Sequence, residues 1–268
     1  MIHKTAIVSP DVQIGENVKI GPYSLIEGNV ELKNNVEIMS HVCIGGYTVV
    51  GEGTRVFPFA TIGYAPQDLK FKGEKSRLII GKNNVIREYV TMHPGTESGR
   101  METVIGDNNL FMIGVHIAHD CIIGNNVVMG NNATLGGHVT IGDNVIIGGL
   151  SALHQFVKVG CGAIIGGMSG VEKDVIPYGA VKGDRAYLSG INLVGLRRAN
   201  VCNSEIHAVQ KACDILFSND NILADNLELV ENMYPHEHCV QEIVKFMKQK
   251  TSRSFCKPID VYEHKTKT

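Results

Sequence analysis

The feature that most constrains this chain is an aliphatic or other large apolar residue that recurs every six positions. In the first run these residues are Ile2, Val8, Ile14, Ile20, Ile26, Leu32, Ile38, Ile44, Val50, Val56 and Ile62, and the phase returns at Ile80, Ile86 and Met92. A second run, one residue out of phase, comprises Ile105, Phe111, Ile117, Ile123, Met129, Leu135, Ile141, Ile147, Leu153, Val159, Ile165 and Val171. A six-residue period does not fit an α-helix, and β-branched residues between glycine-bearing corners indicate short strands.

This period predicts stacked triangular coils. Three hexads close one coil of about 18 residues, and successive coils stack at about the 4.8 Å spacing of β-strands. The apolar residue of each hexad then points into the core of a prism. The period leaves the hand of the coil open, and parallel crossovers are right-handed in general. However, the pattern aliphatic-Gly-x-x-small-x resembles the hexapeptide repeat of left-handed parallel β-helices, which implies a left-handed coil.

Two interruptions of the repeat predict loops, and the end of the chain predicts helices. The interruptions span about 63–75 and 93–103 and are rich in turn-forming and charged residues, which cannot enter an apolar core. After Pro177 the apolar spacing indicates helices over 204–217, 223–233 and about 238–250. We therefore expect a mainly β protein, with a left-handed parallel β-helix over residues 1–187 and a small α-helical domain over residues 188–268. The segment from Lys257 on is expected to be frayed.

Composition excludes several classes of protein. The formal net charge of −2 gives no overall basic field for nucleic acid. The sequence has no run of about 18 apolar residues that would span a bilayer, and its start lacks the apolar segment of a secretory signal. Seven cysteines without a C-x-x-C pair fit reduced thiols. We expect a cytoplasmic protein that is not an integral membrane protein and binds no nucleic acid.

Histidines cluster around an aspartate in the second run of the repeat. Asp120 and His138 are 18 residues apart, so they occupy equivalent positions on adjacent coils, and His154 is close to the same edge one coil further. A histidine beside a carboxylate, as in His119-Asp120, is suited to general base catalysis near pH 7. Three histidines, with His116 among the candidates, are alternatively suited to hold zinc or a similar metal, as in some hexapeptide-repeat carbonic anhydrases. The spacing leaves both interpretations open.

Five segments resemble one family of enzymes. They are Pro66–Phe71, Ile117–Cys121, Gly136–His138, His154–Phe156 and Asn192–Arg198, in this order. Together with the terminal helices they make nearly the whole chain similar to the UDP-N-acetylglucosamine 3-O-acyltransferases, which begin lipid A synthesis. A related glucosamine N-acyltransferase carries an additional N-terminal domain, and repeats at the start of this sequence favour the O-acyltransferases.

The resemblance implies a role for each matched residue. It implies that His119 is a general base that takes the proton of the sugar 3-hydroxyl as this oxygen attacks the thioester of a 3-hydroxyacyl carrier protein. Asp120 would orient His119, and the Gly137 N–H would stabilise the oxyanion. The implied ligands of the sugar nucleotide are Asp68, Lys70, His116, His138, His154 and Gln155. The implied ligands of the diphosphate and of the acyl-carrier side are Asn192, Arg197 and Arg198.

The resemblance also places the acyl-chain pocket at Gly167, Met168 and Arg185. Gly167 lies where this family limits the acyl chain, and the missing side chain implies room for about 14 carbons, because an extra methylene must displace packed atoms. Two positions depart from the family. Val194 replaces a common acidic residue, and Arg185 stands where some members have a histidine.

Partners and alternatives complete the expectation. The resemblance implies no cofactor and no metal, an acyl carrier protein and a UDP-sugar nucleotide as substrates, and a homotrimer with active sites between subunits. A sugar with a 3-amino group fits the same base and oxyanion hole, so N-acylation is an alternative. More distant alternatives are a metal-dependent protein similar to carbonic anhydrase and a binding scaffold without turnover.

Overall fold

Short parallel strands build a triangular prism. The computed structural model describes residues 1–259, and its strands form three sheets, one for each face. Each coil adds one strand to each sheet, so Thr134 and Leu135 pair with His116 and Ile117, 18 positions earlier. The predicted fold class, a left-handed parallel β-helix followed by a small helical region, is confirmed.

The strands alternate among the three sheets in chain order. The first sheet contains β1 (Ile7–Val8), β4 (Leu25–Ile26), β7 (Cys43–Ile44), β10 (Thr61–Ile62), β13 (Thr91–Met92), β16 (His116–Ile117), β19 (Thr134–Leu135), β22 (Ala152–Leu153) and β25 (Gly170–Val171). The second contains β2 (Gln13–Ile14), β5 (Glu31–Leu32), β8 (Tyr47–Val50), β11 (Arg77–Ile80), β14 (Glu102–Ile105), β17 (Ile122–Ile123), β20 (Thr140–Ile141) and β23 (Lys158–Val159). The third contains β3 (Lys19–Ile20), β6 (Glu37–Ile38), β9 (Arg55–Val56), β12 (Val85–Ile86), β15 (Leu110–Phe111), β18 (Val128–Met129), β21 (Ile146–Ile147), β24 (Ile164–Ile165), β26 (Gly179–Lys182) and the antiparallel β27 (Tyr187–Ile191).

The repeated apolar residues fill the prism. Ile117 and Leu135, for example, are fully buried, and burying one such side chain stabilises the fold by about 1.5–3 kcal/mol. The glycine after the apolar residue is required by the close approach of the next coil. A Cβ on Gly124 would lie 2.4 Å from Asp143 Oδ1. The six-residue pattern therefore reflects both core filling and coil spacing.

The three corners of the prism contain left-handed backbone. Between the first and second sheets, Asp120, His138 and Phe156 have φ values of 60°, 63° and 67°, and we call this the His corner. Between the second and third sheets, Asn126 and Asn144 have φ values of 56° and 58°, and we call this the Asn corner. This conformation is uncommon for non-glycine residues, and only Asn, Asp and His are enriched in it. The two corners thus share a backbone geometry but not a residue type.

The third corner, between the third and first sheets, carries a ladder of exposed rings. It consists of Tyr23, His41, Phe59 and Tyr89, with centroids 5.1–5.2 Å apart, and we call this the aromatic corner. Met168 lies on the same corner several coils later, with its side chain exposed. Each ring is therefore an outward-facing member of a stack rather than part of the core.

Both interruptions of the repeat leave the prism at the His corner. The first loop, residues 63–76, connects β10 to β11, and the second loop, residues 93–101, connects β13 to β14. Glu102 and Thr103, which the sequence assigned to the second loop, belong to β14 because they pair with Arg77 and Leu78. The sequence-predicted loops thus lie immediately before the histidine cluster on the same corner.

Up to residue 259, four helices follow the prism. They are α1 (Leu193–Arg198), α2 (Asn203–Leu216), α3 (Leu223–Met233) and α4 (His238–Met247). The last three were predicted, although α4 ends before the expected Lys250. Helix α1 was not predicted. Within residues 1–259 no helix has the length and apolarity needed to cross a membrane. The division into two domains at residue 187 stays a prediction.

The segment after α4 returns to the prism. The Cys256 N–H donates to the Asp174 carbonyl (2.8 Å), and the Lys257 carbonyl accepts from the Leu188 N–H (3.0 Å). Lys257 is therefore held against β27 rather than frayed. The rest of the expectation for a frayed end concerns mainly residues 260–268, which lie outside the described residues.

Candidate active site

His119 and Asp120 form a hydrogen-bonded pair at the His corner. They follow β16, and His119 Nδ1 lies 2.8 Å from Asp120 Oδ2. Both side chains are buried. An ionised carboxylate only accepts hydrogen bonds, so Nδ1 of His119 is the donor and carries the proton. The lone pair of Nε2 is then left as the basic position of the ring.

Asp120 is held in its charged form. Burial alone would raise the pKa of this carboxyl, but hydrogen bonds from His119, Thr96 and Arg100 outweigh burial and lower the pKa to about 2. Thr96 Oγ1 donates to Oδ2 (2.7 Å), and the N–H groups of Thr96 and Arg100 donate to Oδ1 (3.2 and 2.6 Å). Asp120 is thus a fixed negative charge at neutral pH.

The sequence interpretation missed the residues of the second loop that contact Asp120. Besides Thr96 and Arg100, Gly99 lies against this carboxylate, and a Cβ on Gly99 would come within 2.2 Å of Asp120 Cγ. The one sequence feature that pointed to these residues was the position of the second loop, because an insertion at this corner must fold over the next coil. No periodic pattern marks Thr96 itself.

Gly137 lies directly over the basic nitrogen. A Cβ on Gly137 would lie 2.7 Å from His119 Nε2 and 2.6 Å from Cε1, so this approach requires a glycine. The Gly137 carbonyl accepts from the Phe156 N–H (3.1 Å), whereas its own N–H has no acceptor within residues 1–259. A basic nitrogen and a free backbone donor therefore adjoin one another, as acyl transfer requires.

His138 covers the pair from the next coil. Its ring is perpendicular to that of His119, with centroids 5.0 Å apart, and is stacked on Phe156 at 4.4 Å. Burial lowers the pKa of His138 against the opposing effect of Asp120, whose Oδ2 lies 4.0 Å from Nδ1. His138 is therefore a neutral partner at neutral pH.

His116 and an unpredicted histidine, His93, extend the cluster along the first sheet. His116 Nδ1 lies 2.7 Å from Thr91 Oγ1, and burial together with the nearby His93 and His119 lowers the pKa of His116 to about 4. His93 is buried, and its Nδ1 donates to the Tyr64 carbonyl (3.1 Å). Its Nε2 has no hydrogen-bond partner within residues 1–259.

His154 and Gln155 lie one coil beyond His138 and contact the C-terminal segment. Arg253 Nη2 donates to His154 Nδ1 (2.6 Å) and to the Gln155 carbonyl (2.9 Å). This contact fixes the proton of a neutral His154 on Nε2. The sequence interpretation did not select Arg253, because a single arginine after a helix carries no motif.

The first loop brings Asp68 and Lys70 to the same corner. Asp68 Oδ1 accepts from the Lys70 N–H (3.0 Å), which closes a tight turn, and the Lys70 side chain is exposed. Asp68 also lies near enough to His138 to oppose the lowering of its pKa. One corner thus holds most of the predicted site residues, namely Asp68, Lys70, His119, Asp120, Gly137, His138, His154 and Gln155. His116 lies on the adjoining strand β16.

Asn192, Arg197 and Arg198 lie at the Asn corner instead. The Asn192 side chain donates to the Gly162 carbonyl (2.8 Å) and accepts from the Gly195 N–H (2.9 Å), so it caps α1. Arg197 and Arg198 are exposed in the last turn of this helix. Within one chain they are separated from the His corner by a face of the prism.

The predicted acyl-chain residues lie at or near the aromatic corner. The Met168 N–H donates to the Gly149 carbonyl (2.9 Å), and a Cβ on Gly167 would lie 3.3 Å from the same oxygen. Arg185 is in the turn before β27 and forms an exposed ion pair with Glu172 (3.4 Å). One chain therefore distributes the predicted site residues over three corners.

A metal would find a mixed set of donors. The ligand atoms of His119, Asp120 and His138 lie within 4.8 Å of one another, but in the described part of the chain His116 and His154 are not in this group. The predicted set of three histidines is therefore not assembled. Both oxygens of Asp120 already accept from Thr96 or Arg100, which suits a hydrogen-bonded orienting group.

Comparison with known proteins identifies similar chains. A family described as "Udp N-acetylglucosamine O-acyltransferase; Domain 2" matches residues 174–256, and the bacterial transferase hexapeptide family matches residues 102–137. The acyl-(acyl-carrier-protein)–UDP-N-acetylglucosamine O-acyltransferase of Rickettsia canadensis is 48% identical over 255 residues, which cover 95% of this chain and 97% of the relative. The protein of the same name from Thermodesulfovibrio yellowstonii is 45% identical over 256 residues, 96% and 99% of the two chains.

The similarity extends to solved structures. The crystal structure of a UDP-N-acetylglucosamine acyltransferase from Bacteroides fragilis matches this fold with a TM-score of 0.92 at 40% identity. The match covers 95% of this chain and 99% of the other. Both the prism and the helices that follow it are therefore shared, not the repeat alone.

Proposed function

Since the chain belongs to the family of acyl-(acyl-carrier-protein)–UDP-N-acetylglucosamine O-acyltransferases, we propose that the His corner is the centre of its acyl transfer. The protein is an acyltransferase that moves an acyl group from acyl carrier protein to UDP-N-acetylglucosamine, in lipid A biosynthesis. The observation that carries the assignment of roles is the approach of Gly137 to the free nitrogen of His119.

The reaction needs a base, an oxyanion donor and a returning proton. His119 Nε2 takes the proton of the sugar 3-hydroxyl while this oxygen attacks the thioester carbonyl. The carbonyl oxygen gains the negative charge and accepts a hydrogen bond from the Gly137 N–H. When the tetrahedral intermediate collapses, the C–S bond breaks, and the His119 imidazolium returns its proton to the departing thiolate.

Asp120 supports this cycle electrostatically. A buried carboxylate 2.8 Å from Nδ1 stabilises the imidazolium. Because it binds Nδ1, it orients the ring so that Nε2 faces away from the carboxylate. His116 and His138 stay neutral at pH 7, because burial lowers the pKa of each, so they are available as hydrogen-bonding partners for the sugar nucleotide. We assign Asp68, Lys70, His154 and Gln155 to the same substrate.

No metal and no cofactor take part in this proposal. A proton acceptor and a backbone donor are sufficient for transfer from a thioester, which is already an activated acyl group. Zinc bound by His119, Asp120 and His138 would compete for the nitrogen that serves as base. Elemental analysis of the purified, active protein tests this, and stoichiometric zinc required for turnover would contradict it.

A homotrimer explains why one chain spreads its site residues over three corners. Asn192, Arg197 and Arg198 at the Asn corner, and Gly167 and Met168 at the aromatic corner, are then supplied to the His corner by a neighbouring copy. The acyl chain would lie between subunits, with Arg185 nearby. Gly167 has no side chain to shorten the space for the acyl chain, so we propose a length of about 14 carbons. We further propose a cytoplasmic location, consistent with seven free cysteines.

A competition between two acceptors tests the proposed function. Purified protein is given a 3-hydroxyacyl carrier protein with equal amounts of UDP-N-acetylglucosamine and its 3-amino analogue, and the products are separated by mass. We expect the 3-O-acyl product to predominate, since the named relatives are O-acyltransferases. Predominance of the N-acyl product would contradict the choice of acceptor, and absence of both products would contradict the reaction.

A further inference from the structure

We infer that the second loop positions the catalytic base through Asp120, with Thr96 as the positioning residue. This inference rests on the roles proposed above for His119 and Asp120. Thr96 does not adjoin the free nitrogen of His119, so its effect must pass through the carboxylate. The loop is then part of the catalytic machinery, although none of its side chains needs to touch the reacting atoms.

Thr96 and His119 share one oxygen of Asp120. Oδ2 accepts from Thr96 Oγ1 (2.7 Å) and from His119 Nδ1 (2.8 Å), while Oδ1 accepts from the N–H groups of Thr96 and Arg100. Four donors saturate the acceptor sites of the carboxylate. Its plane is therefore fixed, and so is the direction in which Oδ2 presents its second lone pair to the imidazole.

The loop around Thr96 is itself tightly held. The Thr96 carbonyl accepts from the N–H groups of Gly99 (3.0 Å) and Met101 (3.2 Å), and the Gly95 N–H donates to the Arg77 carbonyl (3.2 Å). Ser98 Oγ lies 3.3 Å from Thr96 Oγ1. Thr96 is buried, so water does not replace its hydroxyl without rearrangement of the loop.

Glu74 connects the first loop to this arrangement. Its carboxylate accepts from the Glu97 N–H (3.0 Å) and from the Lys72 N–H (2.8 Å), and these two bonds lower the pKa of Glu74. The first loop also carries Asp68, which we assign to the sugar nucleotide. The loop that meets the acceptor and the loop that holds Asp120 are thus joined at the residue next to Thr96.

Thr96→Val removes the hydroxyl donor and keeps the shape of the side chain. The loss of a hydrogen bond to a charged group should lower kcat by about 10- to 100-fold. KM for UDP-N-acetylglucosamine should change by less than about twofold, because binding contacts are kept. Thr96→Ser restores the donor and should recover most of the wild-type kcat.

Thr103→Val is the matched control. Thr103 is buried on β14, and its Oγ1 has no hydrogen-bond partner within residues 1–259, so the same exchange removes no bond. Its kcat should equal that of the wild type, and its melting temperature should be equal or higher, because the exchange removes an unpaired buried hydroxyl. Glu74→Gln is a surface variant that does not threaten folding, and it should lower kcat by less than Thr96→Val.

A double-mutant cycle with Asp120→Asn decides whether Thr96 acts through Asp120. If it does, adding Thr96→Val to Asp120→Asn causes little further loss of kcat, because the two residues form one unit. Fully multiplicative losses, or a wild-type kcat in Thr96→Val, would overturn the inference. Wild-type activity in Asp120→Asn alone would instead overturn the proposed role of Asp120, so the two failures are distinguishable.

Discussion

The His corner and the Asn corner have the same backbone conformation but are selected by different requirements. The Asn corner uses asparagine in most coils, since this residue tolerates left-handed backbone: Asn17, Asn35, Asn83, Asn108, Asn126 and Asn144. At the equivalent positions of the His corner, His138 and Phe156 adopt the same conformation, which costs roughly 1–2 kcal/mol per residue. Unfavourable backbone alone does not mark the site, because Tyr23, Phe59 and Tyr89 of the aromatic corner are also left-handed. The His corner differs because its residues surround the buried His119–Asp120 pair, against which the His138 ring packs.

Regularity distinguishes the two corners as well. Every turn of the Asn corner between β2 and β24 contains four residues, as in 106–109 and 124–127. The His corner instead contains a two-residue turn at Gly45-Gly46 and both long loops. A regular corner serves the stacking of coils, whereas loops on a rigid scaffold can reach over the next coils and contact ligands.

Among the variants that compare the two corners, Gly137→Ala should have the largest effect. The added Cβ would lie 2.6–2.7 Å from the His119 ring, so the base or the oxyanion donor must move. We expect kcat to fall by about 10²–10³-fold, as for the loss of one oxyanion-hole donor, in a steady-state transfer assay. Gly45→Ala is a control on the same corner, because the three atoms nearest to its Cβ would all belong to the side chain of Tyr64, the closest at 3.1 Å, and this side chain can shift. Equal activity in both variants would contradict the proposed site.

Asp120→Asn should change the acid stability of the fold. The pKa of Asp120 is about 2 in the folded protein, below the usual value of about 3.9. The stabilisation is therefore complete above about pH 5 and is lost as the pH falls towards 2, and it amounts to roughly 2–3 kcal/mol. Denaturant unfolding at pH 5, 4 and 3 should show a shallower loss of stability in the variant. Parallel curves for both proteins would contradict a charged, hydrogen-bonded Asp120.

Asn126→Ala should have the smallest effect and only on stability. Alanine at a φ of 56° is strained, so we expect the free energy of unfolding to fall by about 1 kcal/mol with no change in kcat. At the His corner we expect the opposite result for His138→Asn, namely a lower kcat with little backbone strain. A loss of kcat in Asn126→Ala would remove the functional distinction between the corners.

Much of the fold was predictable because the repeat expresses core filling directly. Ile117 and Leu135 point inward because each occupies the apolar position of its hexad, as the equivalent residues of the other coils do. The two interruptions are polar and cannot pack in the core, so they were predicted as loops. Helix α1 was missed because it is short and depends on the Asn192 side chain as its N-cap, a contact that no apolar period reveals.

The candidate site was predictable only where it has a motif. His119, Asp120 and His138 stand at fixed spacing on the scaffold, so the sequence placed them together. Thr96 and Arg253 reach the site from a loop and from the end of the chain, and their positions depend on tertiary contacts rather than on a period. For Asn192 the situation is reversed. The motif selected this residue, but only the structure shows that its side chain caps α1.

The most direct test of the central claim is the transfer rate of His119→Ala. The assay combines a 3-hydroxyacyl carrier protein with UDP-N-acetylglucosamine, and calorimetry measures sugar-nucleotide binding in parallel. Removal of the base should lower kcat by about 10²–10⁴-fold, while binding of UDP-N-acetylglucosamine and the oligomeric state stay close to wild type. A transfer rate within a few-fold of wild type would contradict the assignment of His119 as the base.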